Sequence, residues 1–207
     1  MYLMIGTRPD IAFTVTHLLQ FSTNHTEDHY KAAQHICHYS VGTCDYKLVY
    51  THEGDKGLVA YTDSDWAADK IQHRSITGYF FKLANGIILW RSHAQKTIAL
   101  SSTEAEYMAI SDCSRQVIWI KTLIKELGIK IRSILIYGDN QGSIFIASNA
   151  VQESRTKHID IHYHYICELV VAKEVEIQFM PGEMNPTNMF TKNLQKIKFT
   201  VLKSVRP

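Results

Sequence analysis

The stretch TGYFFKLANGIILW, residues 77–90, contains two apolar runs that flank Ala84-Asn85-Gly86. Asn-Gly between such runs is the strongest short-range signal for a β-hairpin. A third short apolar run, LVAYT, precedes this hairpin in the chain. The sequence therefore predicts three antiparallel strands, at Leu58 to Thr62, Thr77 to Leu83 and Ile87 to Trp90.

Downstream of the hairpin, helical and strand patterns alternate. Thr103 to Leu127 has apolar residues at helical spacing and is followed by Gly128, which suits a helix end, and Trp119 is expected to pack among its core residues. The order predicts an α/β fold, a five-stranded mixed sheet with helices on both faces. The remaining elements are expected at Ile134 to Tyr137 (strand), Gln141 to Ser148 and Ile159 to Ala172 (helices), Val175 to Met180 (strand) and Thr187 to Gln195 (helix).

Upstream of the strands, residues 1–50 have the pattern of two helices, the first from Asp10 and the second ending near Gly42. Two helices bury too little surface to form a stable domain alone, so we expect them to pack on the rest of the chain or on a neighbour. The expected organisation is a helical segment at 1–50, an α/β domain at 56–195 and a basic tail at 196–207.

The composition excludes several classes of protein. With 207 residues, 45% of them hydrophobic, the chain can bury one core, and a net charge of +2 gives no broad basic field. The four cysteines have neither zinc-like spacing nor the pattern of a disulfide framework. No apolar run approaches the roughly 20 residues of a membrane span, and the start does not have the pattern of a secretory signal, so we expect a cytoplasmic or nuclear protein that is not secreted.

Three acidic residues follow or begin predicted elements in a way that would bring them together. Asp63 follows the first strand, Asp139 follows the strand at Ile134 to Tyr137, and Glu106 lies in the first turns of the long helix. Carboxylates held close together repel one another, and a divalent cation among them relieves that repulsion. The combination predicts a Mg²⁺ site, although any one of these residues alone could equally be a turn or helix-capping residue.

Several longer motifs occur in a fixed order and carry a family resemblance. Together they closely resemble the ribonuclease H region of copia-type retrotransposon polyproteins, and GTRPDIAF and HYSVGTCDY resemble the end of the reverse transcriptase connection that precedes it. The resemblance covers nearly the whole chain, to about Lys192. The motifs are YTDSDWA (61–67), HRSITGYFF (73–81), LWRSHAQKTIALSSTEAEYMA (89–109), YGDNQGSIFIA (137–147), SRTKHIDIHYHYI (154–166) and NMFTK (188–192).

The resemblance implies a ribonuclease H fold in which four acidic residues bind two Mg²⁺ ions, or Mn²⁺ in their place. The first three acidic positions fall on Asp63, Glu106 and Asp139, with Glu104 as a rival for the second. The fourth, catalytic position is occupied by Asn188, which offers a neutral oxygen but removes a negative charge, so metal affinity should fall. The implied partners are an RNA–DNA hybrid and the reverse transcriptase domain of a full-length polyprotein.

Basic residues near these motifs are candidate contacts to nucleic acid. Such side chains, and backbone N–H groups at a helix start, favour phosphate, although a solvated surface explains each of them equally well. His158, His162 and His164 could also suggest a zinc site, but no fourth ligand has suitable spacing. Trp66 could border the acidic site. The candidate contacts are Arg74, Arg91, Arg155, Lys157 and His158.

Three hypotheses about function follow from the sequence. The first is an endoribonuclease that cuts the RNA strand of RNA–DNA hybrids with Mg²⁺. The second is a catalytically impaired or inactive domain that still binds nucleic acid, and the third is a structural remnant without activity. Asn188 separates the first two hypotheses, and binding to a hybrid separates both from the third.

Overall fold

The computed structural model describes residues 1–51, 57–69, 72–128, 133–148 and 165–203. Within them, five strands form one mixed sheet in the order β3-β2-β1-β4-β5. The first three strands are antiparallel, whereas β4 runs parallel to β1 and β5 runs parallel to β4. The predicted fold class is confirmed. The strands are β1 (Val59–Asp65), β2 (Ile76–Leu83), β3 (Gly86–Ala94), β4 (Ile134–Gly138) and β5 (Val175–Phe179).

The hairpin between β2 and β3 forms as the Asn-Gly pair indicates, but its turn lies one residue earlier. Leu83 pairs with Gly86, so Ala84 and Asn85 are the two loop residues, and both have positive φ, 50° and 62°. Two successive positive φ values are the geometry of a type I′ turn. Gly86 is the first residue of β3, where a Cβ atom would collide with the ring of Tyr50.

One face of the sheet is covered by the long helix α4 (Ser102–Glu126). Its residues Cys113, Val117 and Ile120 are fully or almost fully buried, at the three- and four-residue spacing that keeps side chains on one face. Trp119 lies off that stripe and is 56% exposed. The expectation that Trp119 packs in the core was therefore wrong.

The opposite face is covered by the N-terminal segment and by a short 3-10 helix, Pro186–Phe190. Tyr61 of β1 and Phe80 of β2 form a cluster there with Ala12, Met189 and Phe190. The Trp90 indole also donates a hydrogen bond to the Met4 carbonyl, at 2.8 Å, so the N-terminal segment is attached to the sheet. That segment contains α1 (Tyr2–Gly6), a 3-10 turn (Pro9–Ile11), α2 (Ala12–Leu19) and α3 (Glu27–Gly42).

The C-terminal part differs from the helix expected at Thr187 to Gln195. That prediction was wrong, because the chain forms the 3-10 helix instead, with the Asn185 side chain accepting a hydrogen bond from the Thr187 N–H at 3.1 Å. The helix α7 (Lys196–Lys203) follows, and its Phe199 packs on the cluster around Phe190.

Two further helices, α5 (Gln141–Ser148) and α6 (165–171), cover the end of the sheet near β4 and β5. The start of the helix expected at Ile159 lies outside the described residues. No described helix combines the length and the apolar character that crossing a bilayer requires.

Candidate metal centre

Three carboxylates from separate parts of the chain meet at one edge of the sheet. Asp63 lies on β1, Asp139 directly follows β4, and Glu106 lies in the second turn of α4. Because β1 and β4 are adjacent and parallel, their carboxyl ends reach the same edge. One oxygen from each of the three carboxylates lies within 4.8 Å of the other two.

These carboxylates are held away from water and close to one another. Asp63 is 1% exposed and Glu106 is 7% exposed. Burial raises the pKa of Glu106 well above its ordinary value, and the charges of Asp63 and Asp139 raise it further. Burial, followed by the charge of Asp63, also raises the pKa of Asp139. This folded arrangement stores electrostatic repulsion that a bound cation would relieve.

Hydrogen bonds from neighbouring residues fix the carboxylates in position. The Ser64 N–H donates to Glu106 Oε1 at 3.1 Å, and the Thr191 hydroxyl donates to Asp63 Oδ2. The ammonium of Lys192 lies 3.6 Å from the same Asp63 oxygen. Oxygen donors with negative charge are the ligands that Mg²⁺ prefers, so the residues present fit a hard divalent cation.

Glu104, the rival for the helical position, has a different function. Its carboxylate accepts a hydrogen bond from the Leu100 N–H at 2.7 Å, and its own N–H donates to the Ser101 hydroxyl at 3.1 Å. The Ser101 hydroxyl caps the start of α4, and the Glu104 carboxylate reaches back to the residue before that cap. Glu104 therefore holds the helix end, whereas Glu106 joins the acidic cluster.

Asn188 is buried in the segment that borders the cluster, with 2% of its surface exposed. Its side-chain amide donates to the Gly182 carbonyl at 2.6 Å and to the Asn185 carbonyl at 2.8 Å. Gly182 in turn lies so close to Asp139 that an added Cβ would be 2.7 Å from Asp139 Oδ2. The sequence predicted Asn188 only as a weakened metal ligand. The structure shows that its amide also donates two hydrogen bonds, which an aspartate could not donate.

Gln95 is a supporting residue that the sequence analysis did not identify. It is 2% exposed, and its amide donates to the Thr77 hydroxyl and to the Ala105 carbonyl, both at 2.9 Å, and to the Ser64 hydroxyl at 3.3 Å. These bonds tie β1, β2 and the first turn of α4 together next to Glu106. A glutamine just after a strand carries no distinguishing pattern, so no signal in the sequence singled it out.

Two of the candidate nucleic-acid contacts, Arg74 and Arg91, lie in the described part of the chain. Arg91 is exposed on β3, opposite Tyr79, whereas Arg74 is half-buried. Trp66 is half-exposed and its indole donates to the Ala99 carbonyl at 3.0 Å. The other predicted residues lie outside the described part of the chain: Arg155, Lys157 and His158, together with His162 and His164 of the zinc alternative.

Comparison with known proteins places the chain among transposon polyproteins. It is 38% identical over 205 residues to the retrovirus-related Pol polyprotein from transposon TNT 1-94 of Nicotiana tabacum, and this match covers 99% of the chain. It is 37% identical over 194 residues to the corresponding polyprotein from transposon RE1 of Arabidopsis thaliana, covering 93% of the chain. The chain spans only 15% and 13% of the length of these two relatives.

A solved structure supports the fold. Ribonuclease H1 LC11, isolated from compost by a metagenomic approach, aligns with a TM-score of 0.50 over 66% of this chain and 94% of that protein. The two are 13% identical, so this likeness concerns the fold alone. No protein-family model matches the chain.

Proposed function

We propose that this chain, which belongs to the retrovirus-related Pol polyproteins of transposons, is their copia-type ribonuclease H region and hydrolyses the RNA strand of RNA–DNA hybrids with Mg²⁺ as cofactor. The observation that carries the proposal is the buried cluster of Asp63, Glu106 and Asp139, whose oxygens lie within 4.8 Å of one another. Such a cluster is costly without a cation, because the three buried carboxylates repel one another.

In this proposal Asp63, Glu106 and Asp139 hold the Mg²⁺ ions, of which the family resemblance implies two, with Mn²⁺ as a substitute. Bound divalent cations would supply the activation of a water and the stabilisation of the leaving oxygen in phosphodiester cleavage. The protein contributes positioning: Ser64 fixes Glu106, and Thr191 fixes Asp63. Burial of these groups lets their charges act in surroundings of low dielectric constant.

The proposed substrate is recognised by its phosphates and by the RNA 2′-hydroxyls, which distinguish RNA from DNA. Arg74 and Arg91, with Arg155, Lys157 and His158, are the proposed contacts. The proposed protein partner is the reverse transcriptase domain of a full-length polyprotein, and the proposed location is the cytoplasm or nucleus. The division into 1–50, 56–195 and 196–207 remains a prediction.

A catalytically impaired domain that still binds hybrid is the second candidate, and Asn188 favours it. The residue at the fourth acidic position carries no charge, and its amide is engaged with the carbonyls of Gly182 and Asn185. With three carboxylates instead of four, cation affinity falls because less negative charge faces the ion. Binding to hybrid without turnover would then remain.

The test is cleavage of a labelled RNA–DNA hybrid with and without Mg²⁺. The proposed nuclease cuts only with the metal, and Asp139→Asn abolishes cutting because it removes one ligand charge. Asp28→Asn, the same change at an exposed position of α3, serves as the matched control and should leave cleavage intact. Hybrid binding without cleavage by a folded protein would instead support the impaired domain, provided that the affinity falls as salt rises.

A further inference from the structure

Lys192 places a positive charge inside the acidic site. Its ammonium lies 3.6 Å from Asp63 Oδ2, and its side chain is 36% exposed while Asp63 is almost fully buried. The preceding residue, Thr191, donates its hydroxyl hydrogen bond to the same oxygen. One oxygen of Asp63 is therefore already engaged by two adjacent residues of the chain.

The charge of Lys192 also affects carboxyl groups other than Asp63. It acts against the rise in pKa that burial imposes on Glu106 and on Asp139, and it does the same for Asp65. Lys192 thus contacts Asp63 directly, and its charge reduces the electrostatic cost of ionising Glu106 and Asp139. Asp65 lies near these charges but is not among the three carboxylates whose oxygens lie within 4.8 Å of one another.

The charge balance at the site differs from that of a site with four carboxylates. A bound cation favours the ionised form of all three carboxylates. Together with the Lys192 ammonium they then carry two negative charges, which a single divalent cation neutralises. Without bound substrate, a second divalent cation would leave an excess of two positive charges next to the buried Asp63 and Glu106, which is unfavourable. Because Asn188 adds no charge, nothing at the fourth position compensates for that excess.

We propose that Lys192 is a positioning residue whose ammonium takes the place of one cation, so that this site binds a single divalent ion. The inference rests on the proposed function, which assigns the cluster to metal binding. It differs from the family resemblance in the number of ions, which is one instead of two. Lys192 acts through Asp63, by holding one of its oxygens and by supplying positive charge next to it.

The test is a titration of the full chain with Mn²⁺, in which electron paramagnetic resonance counts the free and bound ions. The wild-type protein should bind one Mn²⁺. Lys192→Met should bind Mn²⁺ about tenfold more tightly or take up a second ion, since the ammonium no longer repels the cation. Lys192→Arg keeps the charge and should behave as the wild type, and Lys196→Met, which removes an exposed charge on α7, should do the same.

Two results would overturn the inference: two Mn²⁺ ions bound with similar affinity by the wild type, or the same stoichiometry and affinity in Lys192→Met as in the wild type. Circular dichroism establishes that each variant is folded. Hybrid cleavage measured on the same samples separates this inference from the proposed function. One bound ion with a Lys192→Met response but without cleavage supports the inference and contradicts the nuclease. Cleavage with two bound ions supports the nuclease and contradicts the single-ion inference.

Discussion

Replacing Asn188 with aspartate should have opposite effects on the metal-free and the metal-bound protein. The change restores a carboxylate at the fourth position, but it also removes the amide that donates to the Gly182 and Asn185 carbonyls at 2.6 and 2.8 Å. Since Asn188 is 2% exposed, water cannot easily replace these donations. A carboxylate would face two carbonyl oxygens and add charge to an acidic cluster.

The cost can be estimated from the two lost bonds. A buried acceptor left without its donor costs about 1–3 kcal/mol, so two of them should lower the free energy of unfolding of Asn188→Asp by about 2–6 kcal/mol in EDTA. Added Mg²⁺ should recover part of this loss, because a ligand at about 100 times its dissociation constant stabilises the folded state by about 2.7 kcal/mol. The variant should therefore depend on Mg²⁺ for stability far more than the wild type does.

Urea unfolding followed by circular dichroism, in EDTA and in Mg²⁺, measures both effects. Asn24→Asp, the same substitution at an exposed position between α2 and α3, is the matched control and should change stability little in either buffer. Equal stability of Asn188→Asp and wild type in EDTA would refute the structural role of the amide. A variant that loses stability in EDTA and gains nothing from Mg²⁺ would refute the assignment of this position to the metal site.

Two further predictions concern the acidic cluster and the segment that borders it. In EDTA, the free energy of unfolding should rise as the pH falls from 8 towards the raised pKa of Glu106, because a carboxyl whose pKa is raised by folding binds its proton more tightly in the folded state. Saturating Mg²⁺ should remove this pH dependence. Urea titrations at several pH values measure it, and a flat profile for the metal-free protein would contradict the prediction. Gly78→Ala should lower stability by about 1–3 kcal/mol and weaken Mn²⁺ binding, since the new Cβ would lie 2.7 Å from both Phe190 Cβ and Thr191 Cγ2 and displace the segment that holds Asp63. Gly6→Ala, where the added Cβ meets nothing within 4 Å, is the control, and similar unfolding midpoints and Mn²⁺ affinities for the two variants would show that the close contact at Gly78 is unimportant.

Local patterns were most informative where one element buries a regular stripe of side chains. The period of the apolar residues predicted α4 and the strands, and the Asn-Gly pair predicted the hairpin, although the turn residues are Ala84 and Asn85. Patterns failed where tertiary contacts decide the backbone. The segment after Asn185 forms a 3-10 helix because side-chain and carbonyl contacts across the site hold it. Such long-range contacts cannot be predicted from helical periodicity.

The sequence by itself determined the order of the five strands and the long helix, the family resemblance and three acidic positions, because these depend on short-range spacing and on residue type. Only the tertiary structure decided between Glu104 and Glu106: both lie on the same helix, and which one caps the helix and which joins Asp63 depends on how α4 packs against β1. It also placed Lys192 beside Asp63 and gave the Asn188 amide its two acceptors. Some of these contacts join residues that are distant along the chain, and others depend on the direction of a side chain. Both are set by the packing of the sheet, the helix and the C-terminal segment.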